Sequence, residues 1–338
     1  MSSWHRVSFA KGNDVVVAFR QFRNFDPPQI LRLWNESGLG RGAAQGISCD
    51  EFDGLVIAQT YFDPAGMIVA TTDNKQLIGF VHAGFAADET KSRLSKKTGV
   101  VCAIIVDPQY RRQGIGRELL LRAEEYLRNA GAETIYGGGA DPRDPFYGGL
   151  YGGSESAGFL ESDPAAAPFF QVMGYVPFER HLIFQRKLGP GGPEVMCVRL
   201  LNAKRQSKLA AATAYEPKDW WWSTRQGRLD SMQLGLMPKA GGALLAKVCV
   251  VGLDMYTTGW KVRAIGITGL QVAEQQRRKG YGQLLLDEVC RRVREEMIQL
   301  AEAHANEADT AAIAVLKSAG FELIDAGVVF RKSSVITE

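Results

Sequence analysis

Two spacings of apolar residues alternate along the chain and predict strands alternating with helices. In the first half, short runs rich in β-branched residues predict strands at 15–22, 67–72, 77–85, 100–106 and 134–136. Apolar residues three or four apart predict helices at 26–34, 49–59, 117–130 and 165–173. The turn pair Asp73-Asn74 predicts a hairpin between the strands at 67–72 and 77–85. A second hairpin, formed by Tyr175–Phe178 and His181–Lys187, is expected to close the first half. The pattern is typical of an α/β protein.

The second half predicts a similar succession with a less regular beginning. Strands are expected at 196–201, 229–236 and 244–253, in a run ending near Val272, and at 298–303. Helices are expected near 280–296 and 310–318, followed by a final hairpin. Trp220-Trp221-Trp222 cannot all face inward if they lie on a strand, because side chains alternate there. We interpret them as core or interface packing, against the alternative of a pocket lining.

The two halves also repeat each other in sequence. Residues 104–121 read IIVDPQYRRQGIGRELLL, and residues 270–287 read LQVAEQQRRKGYGQLLLD, so that Gly114 matches Gly280 at an offset of 166. A second repeat, 163–175 against 309–321, has an offset of 146, so the first half carries 20 extra residues between its two motifs. The segment LGPGGP at 188–193 disfavours both helix and central strand. We therefore predict lobe one at 1–188, a linker at 189–195 and lobe two at 196–338.

Composition narrows the functional classes. The 338 residues carry a net charge of +3 and 46% hydrophobic residues, as in an ordinary globular protein of about two domains. This charge is too weak to argue for nucleic acid, and no apolar run reaches the roughly 18 residues of a membrane span. Five scattered cysteines and four scattered histidines indicate reduced thiols in a cytoplasmic protein and predict no metal site. A monomer and a homodimer both remain open.

The repeated glycine segment has the properties of a phosphate cradle. It links an apolar strand to a helix, whose first-turn N–H groups lack intrahelical partners and attract anions. Glycine lets a ligand approach the backbone, and Arg111, Arg112, Arg277 and Arg278 add charged donors. The Walker pattern fails, since Lys279-Gly280-Tyr281 inverts its order, and Leu119 stands where a dinucleotide fingerprint needs a third glycine.

Arg-x-x-Gly-x-Gly after an apolar strand resembles the acetyl-CoA loop of the GCN5-related N-acetyltransferases (GNAT). The later repeat resembles that family's late helix, as Asp163…Ala166…Phe169-Phe170…Gly174-Tyr175 and Asp309…Ala312…Val315-Leu316…Gly320-Phe321. The resemblance covers both halves, as in tandem members of the family. It implies an α/β (α+β) fold of two GNAT-like lobes, each with a mixed, mostly antiparallel sheet flanked by helices and a splayed central strand pair.

The resemblance also implies acetyl-CoA as co-substrate and assigns the residues that would bind it. Backbone groups of the splayed strand would bind the pantetheine and thioester, and the glycine loop would bind the pyrophosphate. The strand residues are Ile104, Ile105 and Val106, with Leu270 and Val272 in lobe two. The loop residues are Arg111, Arg112, Gln113, Gly114, Ile115, Gly116 and Arg117, with Arg277, Arg278, Lys279, Gly280, Tyr281 and Gly282 in lobe two.

The family's usual acid and base are missing from both lobes. Its tyrosine is replaced by Phe170 and Leu316, and its strand glutamate by Cys102 and Thr268. The 20-residue insertion offers replacements, with Tyr147 or Tyr151 as the acid and Glu155 as the base, against the alternative that the insertion supplies only shape. We interpret Cys102 as a packed thiol rather than a nucleophile. His82 is interpreted as a core histidine rather than a cleft residue.

These expectations combine into one leading hypothesis. The chain would transfer an acyl group from acetyl-CoA to a primary amine of a small molecule or peptide by direct attack, with lobe one as the active copy. One alternative makes lobe two the active copy. The other is a non-catalytic acyl-CoA-binding protein that regulates a partner, which the missing tyrosine and glutamate favour.

Overall fold

In lobe one, helices cover both faces of a run of antiparallel strands. The computed structural model describes residues 5–8, 16–189, 197–211 and 219–333. The strands are β1 (His5–Ser8), β2 (Val16–Gln21), β3 (Met67–Thr72), β4 (Leu77–Ala87), β5 (Leu94–Val106), β6 (Thr134–Gly137), β7 (Phe159–Leu160) and β8 (Tyr175–Lys187). The helices are α1 (Pro27–Glu36), α2 (Cys49–Phe52, continued by a π-helical segment Asp53–Ile57), α3 (Ile115–Asn129) and α4 (Ala166–Val172). The predicted helices and the Asp73-Asn74 hairpin are confirmed.

Lobe two repeats the arrangement. Its strands are β9 (Ser207–Ala211), β10 (Ser231–Pro238), β11 (Ala246–Gly252), β12 (Ala264–Val272), β13 (Leu300–Asn306) and β14 (Glu322–Lys332). Its helices are α5 (Val198–Gln206), α6 (Trp220–Gln226), α7 (Thr257–Trp260), α8 (Tyr281–Glu295) and α9 (Thr310–Ser318). The linker predicted at 189–195 lies outside the described residues except for Gly189, so the boundary between the lobes stays a prediction.

The strands form one mixed, mostly antiparallel sheet that runs through both lobes. Its order is β1-β2-β3-β4-β5-β6-β14-β8-β13-β12-β11-β10-β9, with β7 paired to β14 outside this path. Parallel pairing occurs at β5/β6 and β12/β13, the equivalent places in the two lobes. The predicted fold class, with a mixed sheet flanked by helices in each lobe, is confirmed.

The lobes exchange their last strands at the centre of this sheet. β8 lies between two strands of lobe two, pairing with β14 along Tyr175–Gln185 and with β13 along His181–Lys187. The end of β14 in turn pairs with β6 of lobe one, with Phe330 opposite Gly137. The two closing hairpins predicted from sequence are therefore wrong. Glu179-Arg180 contains no turn-forming residue, and β8 continues through it into the second lobe.

One other expectation in lobe two is wrong for a local reason. The strand predicted at 196–201 is replaced by α5, which is rich in helix-forming residues and buries Leu200 and Ala203 at helical spacing.

The three tryptophans lie on α6. The Trp220 and Trp221 rings lie 5.8 and 5.7 Å from that of Tyr61 in lobe one, as predicted for interface packing. Trp222 instead lines a cavity, which was the alternative interpretation.

Candidate active site

The two glycine loops have the same backbone conformation. Arg112 and Arg278 have φ of 63° and 64°, and Gly114 and Gly280 have φ of 88° and 90°. These left-handed residues turn the chain so that α3 and α8 begin directly after the glycine, where glycine carries no Cβ penalty. The first N–H groups of two 15-residue helices are thus presented at one end of each lobe, in the arrangement that binds phosphate.

Side chains of the loop divide into those that brace it and those that face solvent. Arg111 donates to the carbonyl oxygens of Val106 at 3.0 Å and Ser37 at 2.7 Å, so its guanidinium holds the loop to the strand and to the end of α1. Ile115 and Tyr281 are buried, which leaves only their backbone N–H groups for a ligand. Arg112 and Arg278 are exposed. Contact of these residues with CoA stays a prediction.

The strand before each loop separates from its parallel neighbour at the same position. The last aligned pair is Val101 with Gly137 in lobe one and Ile267 with Ala303 in lobe two. A β-bulge lies beside each separation, at Cys102 in lobe one and at 269–270 in lobe two. A bulge bends the strand that carries it, so each lobe opens a V-shaped gap between the strands.

The gap in lobe two leads into a cavity of about 520 Å³. Thr268 and Gln271 of β12 line it, with His304 and Asn306 of β13 and the facing residues 247–249 of β11. The insertion of lobe one and helix α6 form the rest of its wall. The insertion contributes Asp144 and Glu155, and α6 covers the cavity with Trp222 and Arg225. Arg225 forms an ion pair with Asp144, which fixes α6 against the insertion.

The equivalent gap in lobe one is filled by the chain's own side chains. The cavity beside Cys102 has a volume of about 20 Å³, room for no more than a water molecule, and Phe146, Tyr147 and Tyr151 line it. The same insertion that walls the cleft of lobe two therefore plugs the cleft of lobe one.

The three predicted catalytic residues are not brought together. The Tyr147 ring is buried and stacks on Trp34 at 5.7 Å, and its hydroxyl lies 3.1 Å from His82 Nδ1. The Tyr151 hydroxyl accepts the N–H of Leu160 at 3.2 Å. Burial raises the pKa of both phenols, so neither gives up its proton readily. Glu155 lines the cavity of lobe two instead.

Cys102 and His82 have the environments predicted for packed residues. Burial raises the pKa of the Cys102 thiol, which keeps it protonated and poorly nucleophilic. His82 is fully buried, and burial lowers its pKa to about 3, so it remains neutral. Its interpretation as a core histidine is confirmed.

Sequence reasoning missed the polar side of β13. Glu302, His304 and Asn306 alternate with alanines in LAEAHAN, so they lie on one face of the sheet. Gly266 is registered opposite Glu302, and Thr268 follows on the same face of β12. The alternation was visible in the sequence, but the strand was predicted to end at 303. Among the described residues, buried Thr268 Oγ1 and His304 Nδ1 have no protein partner.

Comparison with known proteins agrees with this architecture. The acetyltransferase (GNAT) family matches residues 10–145, and the FR47-like protein family matches residues 256–329. The structure of a tandem GNAT protein from the clavulanic acid biosynthesis pathway superimposes with a TM-score of 0.62, covering 93% of this chain and 98% of that one at 20% identity. Residues 10–145 belong to the GNAT family, and the chain as a whole has the fold of a tandem GNAT protein. In this fold the two lobes share one sheet.

Two further proteins that the chain resembles carry named activities. A mycothiol acetyltransferase of Propionibacterium freudenreichii subsp. shermanii is 34% identical over 124 residues, which is 36% of this chain and 38% of that protein. A fungal GCN5-related glucosamine N-acetyltransferase region superimposes with a TM-score of 0.68 at 16% identity, covering 94% of this chain and 38% of that one. The matches thus span about two-fifths of each of these two relatives. None of the helices among the described residues is long and apolar enough to cross a membrane.

Proposed function

We propose that this GNAT protein transfers the acetyl group of acetyl-CoA to a primary amine of a small molecule, and that the cleft of lobe two is the active one. The observation that carries the proposal is the contrast between the clefts. The gap in lobe two opens into about 520 Å³, whereas the equivalent gap in lobe one encloses about 20 Å³. The first of these volumes lies in the range of small-molecule sites, roughly 300–1,000 Å³, and the second lies far below it. The proposal therefore reverses the preference for lobe one that the sequence suggested.

The glycine loop of lobe two fits the pyrophosphate of CoA. Gly280 is the residue before α8 and has φ of 90°, so the N–H groups that follow it point out of the helix end. Exposed Arg277 and Arg278 add positive charge beside these groups. A diphosphate held there would extend its pantetheine arm along β12 toward the gap, where the backbone of 269–271 is released from β13. Backbone N–H groups at such an edge can stabilise the oxyanion of acyl transfer.

The acceptor is proposed to be a small molecule rather than a peptide. The cavity is walled on one side by the insertion of lobe one and covered by α6, which limits the length of chain that can enter. The relatives named above are a mycothiol acetyltransferase and a glucosamine N-acetyltransferase region, and both names refer to low-molecular-weight compounds. The lining suits a polar compound, since it carries charges of both signs: Asp144 and Asp141 pair with Arg225, and Asp141 also pairs with Lys91.

The test compares charge reversal in the two loops. Arg278→Glu and the matched control Arg112→Glu change equivalent exposed residues of the same φ. CoA thiol release is measured with a thiol reagent against a panel of amino sugars, amino acids, polyamines and short peptides. We expect Arg278→Glu to raise the KM for acetyl-CoA about tenfold or more, equivalent to about 1.4 kcal/mol, and Arg112→Glu to change it less than twofold. The opposite ranking would make lobe one the active copy.

The same experiment separates the enzyme from a non-catalytic acyl-CoA binder. Leu316 occupies the position of the family's tyrosine in lobe two, which is the observation in favour of a binder. Calorimetric binding of acetyl-CoA without thiol release for any amine in the panel would support that alternative and overturn the proposed transfer.

A further inference from the structure

We infer that His304 is the general base of the lobe-two cleft and that Glu302 is the positioning residue that orients it, with lobe one holding the pair in place. This inference rests on the proposed function, since it concerns the acceptor side of the same cleft. It replaces Glu155 as the predicted base and assigns a proton acceptor to a cleft in which Thr268 stands at the position of the family's strand glutamate.

The histidine has one ring nitrogen engaged by Glu302, and the other is buried without a protein partner among the described residues. His304 Nε2 lies 3.3 Å from Glu302 Oε1, in a pair whose side chains are 3% and 0% exposed. Nδ1 has no protein partner among the described residues, and the side chain lines the 520 Å³ cavity. With the Nε2 proton assigned to the bond with Glu302, Nδ1 carries the lone pair that can accept a proton from a ligand.

Hydrogen-bond donors of four residues surround the Glu302 carboxylate and keep it ionised. Oε1 also accepts the N–H of Ser154 at 3.0 Å, and Oε2 accepts Gln185 Nε2 at 2.7 Å and an Arg41 guanidinium N–H at 3.2 Å. Burial alone would raise the pKa of Glu302, but the bonds and charges of His304 and Arg41 and the Ser154 N–H lower it below its ordinary value. A fixed carboxylate behind an imidazole selects one tautomer and stabilises the imidazolium that forms.

Three of these four donors precede the predicted boundary between the lobes. Arg41 follows α1, Ser154 belongs to the insertion and Gln185 lies on the exchanged part of β8. The approach of the insertion requires glycines. A Cβ on Gly153 would lie 1.9 Å from Glu302 Oε1, and one on Gly266 would lie 2.4 Å from the Ser154 Cβ. Lobe one thus sets the orientation of the base although its own cleft is closed.

The proton transfers balance for an amine acceptor. The ammonium form of the acceptor gives one proton to His304 Nδ1, and the resulting amine nitrogen attacks the thioester carbonyl carbon. A C–N bond forms, the C–S bond breaks, and the second N–H proton passes to sulfur, so the products are the amide and the CoA thiol. The proton on His304 then returns to solvent. Positioned proton transfer of this kind contributes about 10²–10⁴-fold in rate.

Other charged groups surround the pair and bear on its pH dependence. His181 of β8 lies beside it, and burial lowers the His181 pKa despite the opposing effect of Glu179. The Asp325 carboxylate of β14 lies 3.9 Å from the Arg41 guanidinium. Arg143 of the insertion forms an ion pair with Glu179. Asp144, Arg225 and Glu155 complete the charged wall of the cavity. The ion pair that the described structure gives His304 is the one with Glu302, at 3.3 Å.

The test is the pH profile of kcat/KM in the full-length chain with the best amine of the panel. We expect His304→Gln to lower kcat/KM at least 100-fold and to remove its acid limb, with the KM for acetyl-CoA changed less than twofold. Glu302→Gln should lower kcat/KM at least tenfold, because the His304 ring loses the carboxylate that fixes its orientation. The matched control is Glu124→Gln, which removes an equally buried carboxylate from lobe one and should leave the acid limb in place.

The tautomer gives an independent readout that does not require the Glu302 variant to fold. In ¹⁵N-histidine spectra of the unaltered chain, the resonances lost in His304→Gln should show a protonated Nε2 and an unprotonated Nδ1. The opposite tautomer, or an unchanged acid limb in His304→Gln, would overturn the inference. If one of these two results is obtained while Arg278→Glu still impairs the use of acetyl-CoA, the proposed function stands and only the role of His304 is refuted. If no amine in the panel causes thiol release, both the proposed function and the role of His304 are refuted.

Discussion

The substitution Gly153→Ala tests whether the insertion of lobe one presses on the Glu302 carboxylate. Gly153 has φ of 85°, and an added Cβ would lie 1.9 Å from Glu302 Oε1 and 2.9 Å from its carboxyl carbon. Ordinary contact requires a separation larger by roughly 1.5 Å. The carboxylate cannot rotate away without loosening its bonds to Ser154 and Gln185, so the loop and the carboxylate must separate.

The magnitude follows from two terms. Left-handed backbone costs a residue with a Cβ about 1–2 kcal/mol, and weakening hydrogen bonds to a buried charge costs about 1.5–3 kcal/mol. We therefore expect Gly153→Ala to lower the free energy of unfolding by about 2.5–5 kcal/mol. Displacement of the base by about 1 Å should lower kcat/KM about 100-fold.

Gly174→Ala is the matched control. Gly174 has φ of 78°, and a Cβ there would meet no atom within 4 Å, so the substitution adds only the backbone term of about 1–2 kcal/mol. The free energy of unfolding is measured by urea titration, and kcat/KM by thiol release under conditions where each variant is folded. Equal losses of stability and activity in the two variants would refute the contact between the insertion and Glu302.

Three further predictions follow from buried groups. Phe330→Ala should lower the free energy of unfolding by about 3–5 kcal/mol, because the Phe330 ring is buried and stacks on that of Phe170 at 5.3 Å. Phe330 is paired with Gly137, so hydrogen exchange should also accelerate in β6 of lobe one. Acceleration confined to lobe two would contradict the strand exchange. Cys102→Ser should still release CoA thiol, since burial raises the pKa of the Cys102 thiol and keeps it unreactive. A tenfold loss of kcat would instead support Cys102 as a nucleophile. Burial lowers the His82 pKa to about 3, so the unfolded chain binds a proton that the folded chain excludes, and stability should fall as pH drops from about 6.5 toward 3. His82→Gln should flatten that dependence in acid titrations, and an unchanged slope would contradict it.

Local sequence was a good guide where a single segment decides the conformation. The glycine loops were predicted in both halves because left-handed residues at a strand-to-helix turn require glycine, as Gly114 and Gly280 confirm. The helix predicted at 310–318 matches α9, which begins where Asp309 accepts the N–H of Ala312. Such signals depend on neighbours within a few residues, so one sequence carries them in full.

The site was harder to predict because its parts come from distant segments. Tyr147 and Glu155 lie eight residues apart in one loop, yet the first fills the cleft of lobe one and the second lines the cleft of lobe two. The roles of Glu302 and His304 depend on Ser154 and Arg41, which approach only in the folded chain.

The sequence by itself determined the duplication, the two glycine turns and the resemblance to the GNAT family, because each depends on short segments whose backbone conformation is fixed locally. Tertiary structure alone decided that the lobes exchange β8 and β14 and that one insertion closes one cleft while it walls the other. The physical reason is that a strand pairs equally well with any edge of suitable register. Long-range packing therefore selects the partner, and with it the side chains that meet at the site.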